Sequence, residues 1–206
     1  MSPEQYLQQG ISRLKLEVSA AQQQQLMAYL LLLHKWNQAY NLTAIRQLDE
    51  MVIKHLLDSL AVLPSIQGAR CLDVGTGAGL PGLVLALLNP AQHWVLLDSN
   101  HKKTRFLQQA VIELALSNVE VVCSRIELFK PTQAFDVIIS RAYSELQKFY
   151  QQTQTFCAPQ GRLIAMKGVY PEQELQSFQE SGIAWKTQML DVPFLNAERH
   201  LIIFGA

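Results

Sequence analysis

The sequence predicts a doubly wound, mainly parallel α/β sheet with an antiparallel C-terminal strand and a helical N-terminal extension. Three observations predict it. From Ala69 onward, short apolar runs alternate with helical stretches, the pattern of parallel strands joined by crossover helices. The strand candidates contain continuous apolar runs such as VLL and VII, as burial on both faces requires. Before Pro64, apolar residues instead recur at three and four residues, the period of one helix face.

The helical part spans roughly residues 3–63. Ser19 and Gln22 fit a capping box that opens a helix carrying Leu26, Tyr29, Leu30, Leu33 and Trp36. Asn41-Leu42-Thr43 breaks that pattern. A second helix over Met51–Leu63 ends at Pro64 and Gly68. Next come the strand CLDVG, a helix over Leu83–Leu88, the strand HWVLLD and a helix over Lys102–Leu116. VEVVC and FDVIIS follow as strands, then a helix over Glu145–Phe156, the strand GRLIAMKG and a helix over Glu172–Ser181. Two late strands, Ile183–Val192 and Arg199–Phe204, flank a turn containing Pro193. The expected division is 1–64 for the extension and 65–206 for the sheet domain.

The 206 residues, 49% hydrophobic and 17% charged, allow a large core and argue against disorder. Seventeen Lys and Arg balance 17 Asp and Glu, so global charge gives no sign of a nucleic-acid partner; only a local basic patch could supply one. Cys71, Cys123 and Cys157 form no CxxC pair, which speaks against a zinc site, and unpaired thiols suit a cytoplasmic protein. The polar, glutamine-rich start is unlike a signal peptide, and no apolar stretch reaches the ~18 residues of a membrane span.

The sharpest feature is Asp73-Val74-Gly75-Thr76-Gly77-Ala78-Gly79, a strand running into three alternate glycines before a helix. Glycine permits a tight turn and lets a ligand approach the main chain. The spacing is GxGxG rather than the GxGxxG of dinucleotide binders. Asp73 is expected at the mouth of the turn, where it would suit a cationic amino-acid group. Asp98 ends the next strand, where an acid can bind ribose hydroxyls. Ser124-Arg125-Ile126-Glu127 follows the third strand, where Ile126 could pack on a nucleoside base. Each has a plainer reading: a structural turn, an N-cap for the helix near Lys102, an ordinary helix start. Together, in the right element order, they favour nucleoside binding.

The segments LHKWNQAYNLT, HLLDS, LDVGTGAGLPG, LLDSNHKK, ISRAY, MKG and ERHL together resemble the RsmG (GidB) family of 16S ribosomal RNA guanine methyltransferases. The resemblance runs from about Leu33 to the C-terminus. It implies a class I, Rossmann-like methyltransferase fold and S-adenosylmethionine as methyl donor, with no metal. It implies methylation of ring nitrogen 7 of a guanine in the 530 loop of 16S rRNA in a bacterial cytoplasm. The expected partner is 16S rRNA, free or within the small subunit, and the protein is expected to be a monomer. By motif, Gly75 and Leu80 would line the methionine side of the cofactor pocket, Ile126 and Glu127 the adenine, with Arg141 close to the cofactor. Asp73, Gly77 and Asp98 join this set from the reading of the residues. Ala78 departs from the proline that other members can carry.

Ring nitrogen 7 of guanine has a free lone pair and no proton to lose, so no base motif is required. Arg141 and Arg199 are candidates to position the substrate, since arginine reads the oxygen 6 edge of guanine. Arg125, Arg141, Lys167 and Arg199 are expected to share one sheet edge as a positive rim for RNA, unless paired to Glu127, Glu145 or Glu198. Arg46 and Lys54 form a second possible RNA surface. His55 and Asp58, three apart on one helix face, suit a helix-surface or interdomain hydrogen bond better than a metal site or an acid/base pair. Cys157 and His200 are expected in packing roles, with an RNA phosphate contact as the other option for His200. The competing readings are a nicotinamide dinucleotide dehydrogenase, disfavoured by the glycine spacing, and a non-catalytic nucleoside- or RNA-binding module.

Overall fold

Among the described residues, seven strands form one sheet: β1 (Arg70–Val74), β2 (His93–Asp98), β3 (Val119–Cys123), β4 (Phe135–Arg141), β5 (Cys157–Lys167), β6 (Trp185–Met189) and β7 (His200–Phe204). A computed structural model describes residues 1–143 and 145–205; Ser144 and Ala206 lie outside it. The strand order is β3-β2-β1-β4-β5-β7-β6. Strands β1 to β5 run parallel, and β7 runs antiparallel to both β5 and β6. The chain order reverses between β1 and β4, which opens a crevice beyond their carboxyl ends.

The pleat sorts the core into two layers. Cys71 on β1 and Val137 and Ile139 on β4 join a cluster with α5 (Gly82–Leu88) and α6 (His101–Glu113). Leu72 and Val74 on β1 and Ile138 on β4 face the other way, toward α7 (Leu146–Thr153) and α8 (Glu172–Ser181).

The N-terminal helices cover the first layer. Capping boxes open α1 (Pro3–Arg13), through Ser2 and Gln5, and α2 (Ala20–Tyr40), through Ser19 and Gln22. Each such cap contributes about 1 kcal/mol. Asn41, left-handed at φ 51°, ends α2, and the Asn37 side chain holds the following loop through Thr43 N and Ile45 O. Leu26, Leu30 and Leu33 of α2 are fully buried in the same cluster as α5 and α6. Full burial of a leucine stabilises by about 1.5–3 kcal/mol. Tyr29, also fully buried, donates its hydroxyl to Ala78 O at 2.7 Å, tying α2 to the glycine-rich turn.

Several boundaries differ from those the sequence suggests. The second helix begins earlier, as α3 (Leu48–Met51), and widens into a π-helical turn over Val52–Leu57 before α4 (Asp58–Leu60). Helix α6 stops at Glu113 because Ala115 turns left-handed, at φ 52°, letting Leu114 and Leu116 pack inward. The first late strand is only β6, although Leu190 and Val192 beyond it are buried. Strand β5 starts before Gly161, at Cys157.

Candidate active site

Two adjoining clefts open beyond the carboxyl ends of the strands. The first, of about 300 Å³, is lined by Gly75, Asp98, Ser99, Arg125, Ile126 and Glu127 among others. Gly75 and Gly77 have φ of 68° and 63°, a backbone that side chains disfavour. A Cβ built on Gly77 would find nothing closer than 3.9 Å, so the turn presents an open cradle of main chain. Asp98 accepts from Gly77 N at 2.9 Å and Asn100 N at 2.8 Å. Asn100, not Asp98, caps α6. An ionised carboxylate has about four acceptor sites, which leaves Asp98 capacity for ligand hydroxyls. The open turn, the acid and the apolar Ile126 fit an adenosine carrying an amino-acid tail.

Asp73 is not at the mouth of the turn. It is fully buried beneath it, where Oδ2 accepts from Thr76 Oγ1 at 2.7 Å and Gly82 N at 2.8 Å. The turn wraps around this carboxylate, so it fixes the loop's shape rather than meeting solvent. Burial pushes its pKa up to about 6, against the lowering effect of those two hydrogen bonds. Leu80, expected along the methionine side of the pocket, is likewise buried in the core cluster.

The second cleft, of about 520 Å³, is lined by Lys54, His55, Asp58, Arg141, Lys167 and Arg199 among others. At its floor is Asp58, 1% exposed. Arg199 Nε donates to its Oδ1 at 2.7 Å and Arg141 Nη1 to its Oδ2 at 3.0 Å. Arg141 Nη1 also reaches Lys54 O at 3.0 Å, and Arg199 Nη1 donates to Glu198 O at 2.8 Å. One carboxylate from the helical segment thus holds two arginines from β4 and the approach to β7. The Lys167↔His200 register brings Arg199 to the same edge as Lys167, as the antiparallel last strand requires.

The positive rim is less free than the sequence suggests. Arg141 and Arg199 share Asp58, and Lys167 pairs with Glu174 at 2.9 Å, so none uses Glu127, Glu145 or Glu198 as ion-pair partner. Arg125 is exposed at the first cleft. Arg141 lies in the second cleft, not among the residues lining the first. His55 is buried, its Nε2 lying 3.0 Å from Thr43 Oγ1. Burial, then the Arg141 charge, push its pKa down to about 4. Burial lifts the Cys157 thiol to about 11, and His200 Nδ1 lies 2.9 Å from Gly168 O, so both sit in packing surroundings.

Of the hydrogen-bonding roles expected for His55 and Asp58, Asp58 takes the one that reaches the sheet, to Arg141 and Arg199 from 83 and 141 positions away, while His55 meets Thr43. Tyr143, which lines both clefts, carried no signal beyond its place in ISRAY.

Residues 22–202 match the family described as GidB, rRNA small subunit methyltransferase G. The chain belongs to this family. A GidB relative from Nitrosococcus oceani, named Ribosomal RNA small subunit methyltransferase G, is 49% identical over 97% of this chain and 93% of its own. One of the same name from Laribacter hongkongensis is 48% identical over 100% and 99%. The solved structure of a SAM-dependent methyltransferase from Aquifex aeolicus shares the fold, with TM-score 0.58 and 22% identity over 73% of this chain and 91% of that one. Among the described residues of this GidB chain, no cluster of three or more His, Cys, Asp or Glu could hold a metal, and no helix is long and apolar enough to cross a membrane.

Proposed function

We propose that this protein transfers a methyl group from S-adenosylmethionine to ring nitrogen 7 of a guanine in the 530 loop of 16S rRNA, within the bacterial cytoplasm. The observation that carries the reading is the pairing of a cleft that fits a nucleoside with an adjoining cationic cleft that, among the described residues, offers no free carboxylate or basic imidazole. His55 is held by Thr43 with its basicity suppressed, and both oxygens of Asp58 are taken by arginines. Such a cleft suits an acceptor atom with no proton to lose, which distinguishes a ring nitrogen from an exocyclic amine or a hydroxyl.

S-adenosylmethionine, when bound, supplies a methyl group already activated on sulfur. Gly75 and Gly77 would cradle its amino-acid tail, Asp98 would take the ribose hydroxyls, and Ile126 and Glu127 would flank the adenine. The chain's remaining task is alignment, which can contribute roughly 7–11 kcal/mol. Arg141 and Arg199 would hold the guanine at oxygen 6, leaving nitrogen 7 clear, and Lys54 and Lys167 would meet backbone phosphates. A base reaching this cleft must leave its stack.

The test is methyl transfer from labelled S-adenosylmethionine to small subunits lacking the modification, with the site mapped by borohydride and aniline cleavage, which is selective for N7-methylguanine. A single cleavage in the 530 loop is expected. Incorporation elsewhere, or at an exocyclic nitrogen, would overturn the reading. Running naked 16S rRNA alongside assembled subunits identifies which form is the substrate.

A further inference from the structure

The methyl group must cross from the first cleft to the second, and one side chain stands at the crossing. Tyr143 lines both clefts. A Cβ built on Gly75 would lie 3.1 Å from Tyr143 Cδ2, so the ring covers the turn where the sulfur end of the cofactor would lie. The ring is fixed at two points. Its centroid lies 6.1 Å from that of Phe149 in a T-shaped contact, and its hydroxyl donates to Gln152 Oε1 at 2.7 Å. Gln152 Nε2 in turn donates to Glu127 Oε1 at 2.8 Å, on the wall of the first cleft. The aromatic ring at the crossing is thus tethered to the cleft that would hold the donor.

We propose that Tyr143 is a positioning residue for methyl transfer: a septum between donor and acceptor clefts, set by the Tyr143–Gln152–Glu127 chain, that aligns the guanine with the methyl group. The inference rests on the proposed methyl transfer. It assigns Tyr143 and Gln152 to alignment, not to affinity. Shifting reacting groups by about 1 Å can cost about 10²-fold in rate. Removing the ring in Tyr143→Ala therefore lowers kcat by roughly that factor, with the dissociation constant for S-adenosylmethionine little changed. Tyr143→Phe keeps the septum and cuts the tether, and one hydrogen bond is worth up to about tenfold. Gln152→Leu cuts the same tether, so it should match Tyr143→Phe, and the double variant should be no worse than either alone.

The experiment measures kcat and KM on small subunits lacking the methyl group, S-adenosylmethionine binding by calorimetry, and the melting temperature of each variant. The expected result is the largest fall in kcat for Tyr143→Ala and smaller, matching falls for Tyr143→Phe, Gln152→Leu and their double variant, with melting temperature and cofactor affinity held. An unchanged kcat in Tyr143→Ala overturns the septum while leaving methyl transfer standing. Fully additive losses in the double variant overturn the tether, as does a loss confined to cofactor affinity. Absence of transfer by the unaltered chain, with cofactor bound, overturns the proposed function and the septum with it.

Discussion

The two clefts are built by opposite means. Apart from Tyr143, the first is made by consecutive turns after β1, β2 and β3, between Val74 and Glu127. Its shape comes from main chain: two left-handed glycines, an Asp98 carboxylate holding the Gly77 amide, and a buried Asp73 around which the turn closes. The second is made by side chains from four remote segments, two of which, carrying Arg141 and Arg199, are joined to the helical segment at the Asp58 carboxylate. Local backbone suits a ligand of fixed shape. Long cationic side chains around a buried anion suit a polyanion, and they depend on the whole fold to stay in place.

The largest expected effect comes from removing that carboxylate. Asp58→Ala leaves two half-buried guanidinium groups facing each other. Breaking a fully buried pair costs about 3–5 kcal/mol, and solvent access at the arginines reduces this to roughly 2–4 kcal/mol. Urea denaturation should show that loss, and methyl transfer should fall about 10²-fold as both arginines move. If stability and rate are both unchanged, the second cleft does not depend on Asp58. Next in size is Asp98→Ala. Hydrogen bonds to a charged group are worth about 1.5–3 kcal/mol, so cofactor affinity should drop roughly 10- to 100-fold by calorimetry, with RNA binding kept. Loss of RNA binding instead would merge the two regions into one site.

Acidity separates the clefts by sign. His55, in the second, has its folded pKa lowered from 6.5 to about 4. The fold binds fewer protons there than the open chain, so its contribution is present above pH 6.5 and is lost as pH falls toward 4. The loss is on the order of 2–3 kcal/mol. Asp73, beneath the first, has its pKa raised from 3.8 to about 6, so stability is gained as pH falls through that window. The two slopes oppose. His55→Gln should flatten the acid loss and Asp73→Asn should steepen it, as urea midpoints at pH 4.5 and 7 would show. Matching slopes in the two variants would contradict this assignment of charge.

The first cleft was legible in the sequence because main-chain chemistry leaves local marks. Gly75, Gly77 and Asp98 could be read from glycine spacing and a strand end, Ile126 only with the family resemblance beside it, and Ser19 with Gln22 announced α2. Asp73 is expected at the mouth of the turn to meet a ligand, yet it lies buried beneath it, since spacing does not say which way an acid points. The second cleft was visible only as a set of basic residues. No local pattern shows that Asp58 faces Arg141 and Arg199, because only the packing of the helical segment onto β4 and β7 brings them together. Nor does spacing distinguish a free lysine from one paired to Glu174.

The smallest expected effect tests that last distinction. Exposed Arg125 should contribute its full share to RNA binding, so Arg125→Ala should flatten the dependence of log affinity on log salt by roughly one unit. Lys167→Ala should flatten it less, since Glu174 already offsets its charge. The reverse order in a salt titration would place RNA on the β5 side of the rim.

The most direct test of the division between the clefts is the calorimetric affinity of Asp58→Asn for S-adenosylmethionine. This variant keeps the shape of the side chain and removes the charge that holds both arginines. Cofactor affinity equal to that of the unaltered protein is the expected result, because every main-chain and side-chain group of the first cleft is intact. A loss as large as that of Asp98→Ala would contradict it, and would mean that the arginines around Asp58 help to build the donor site.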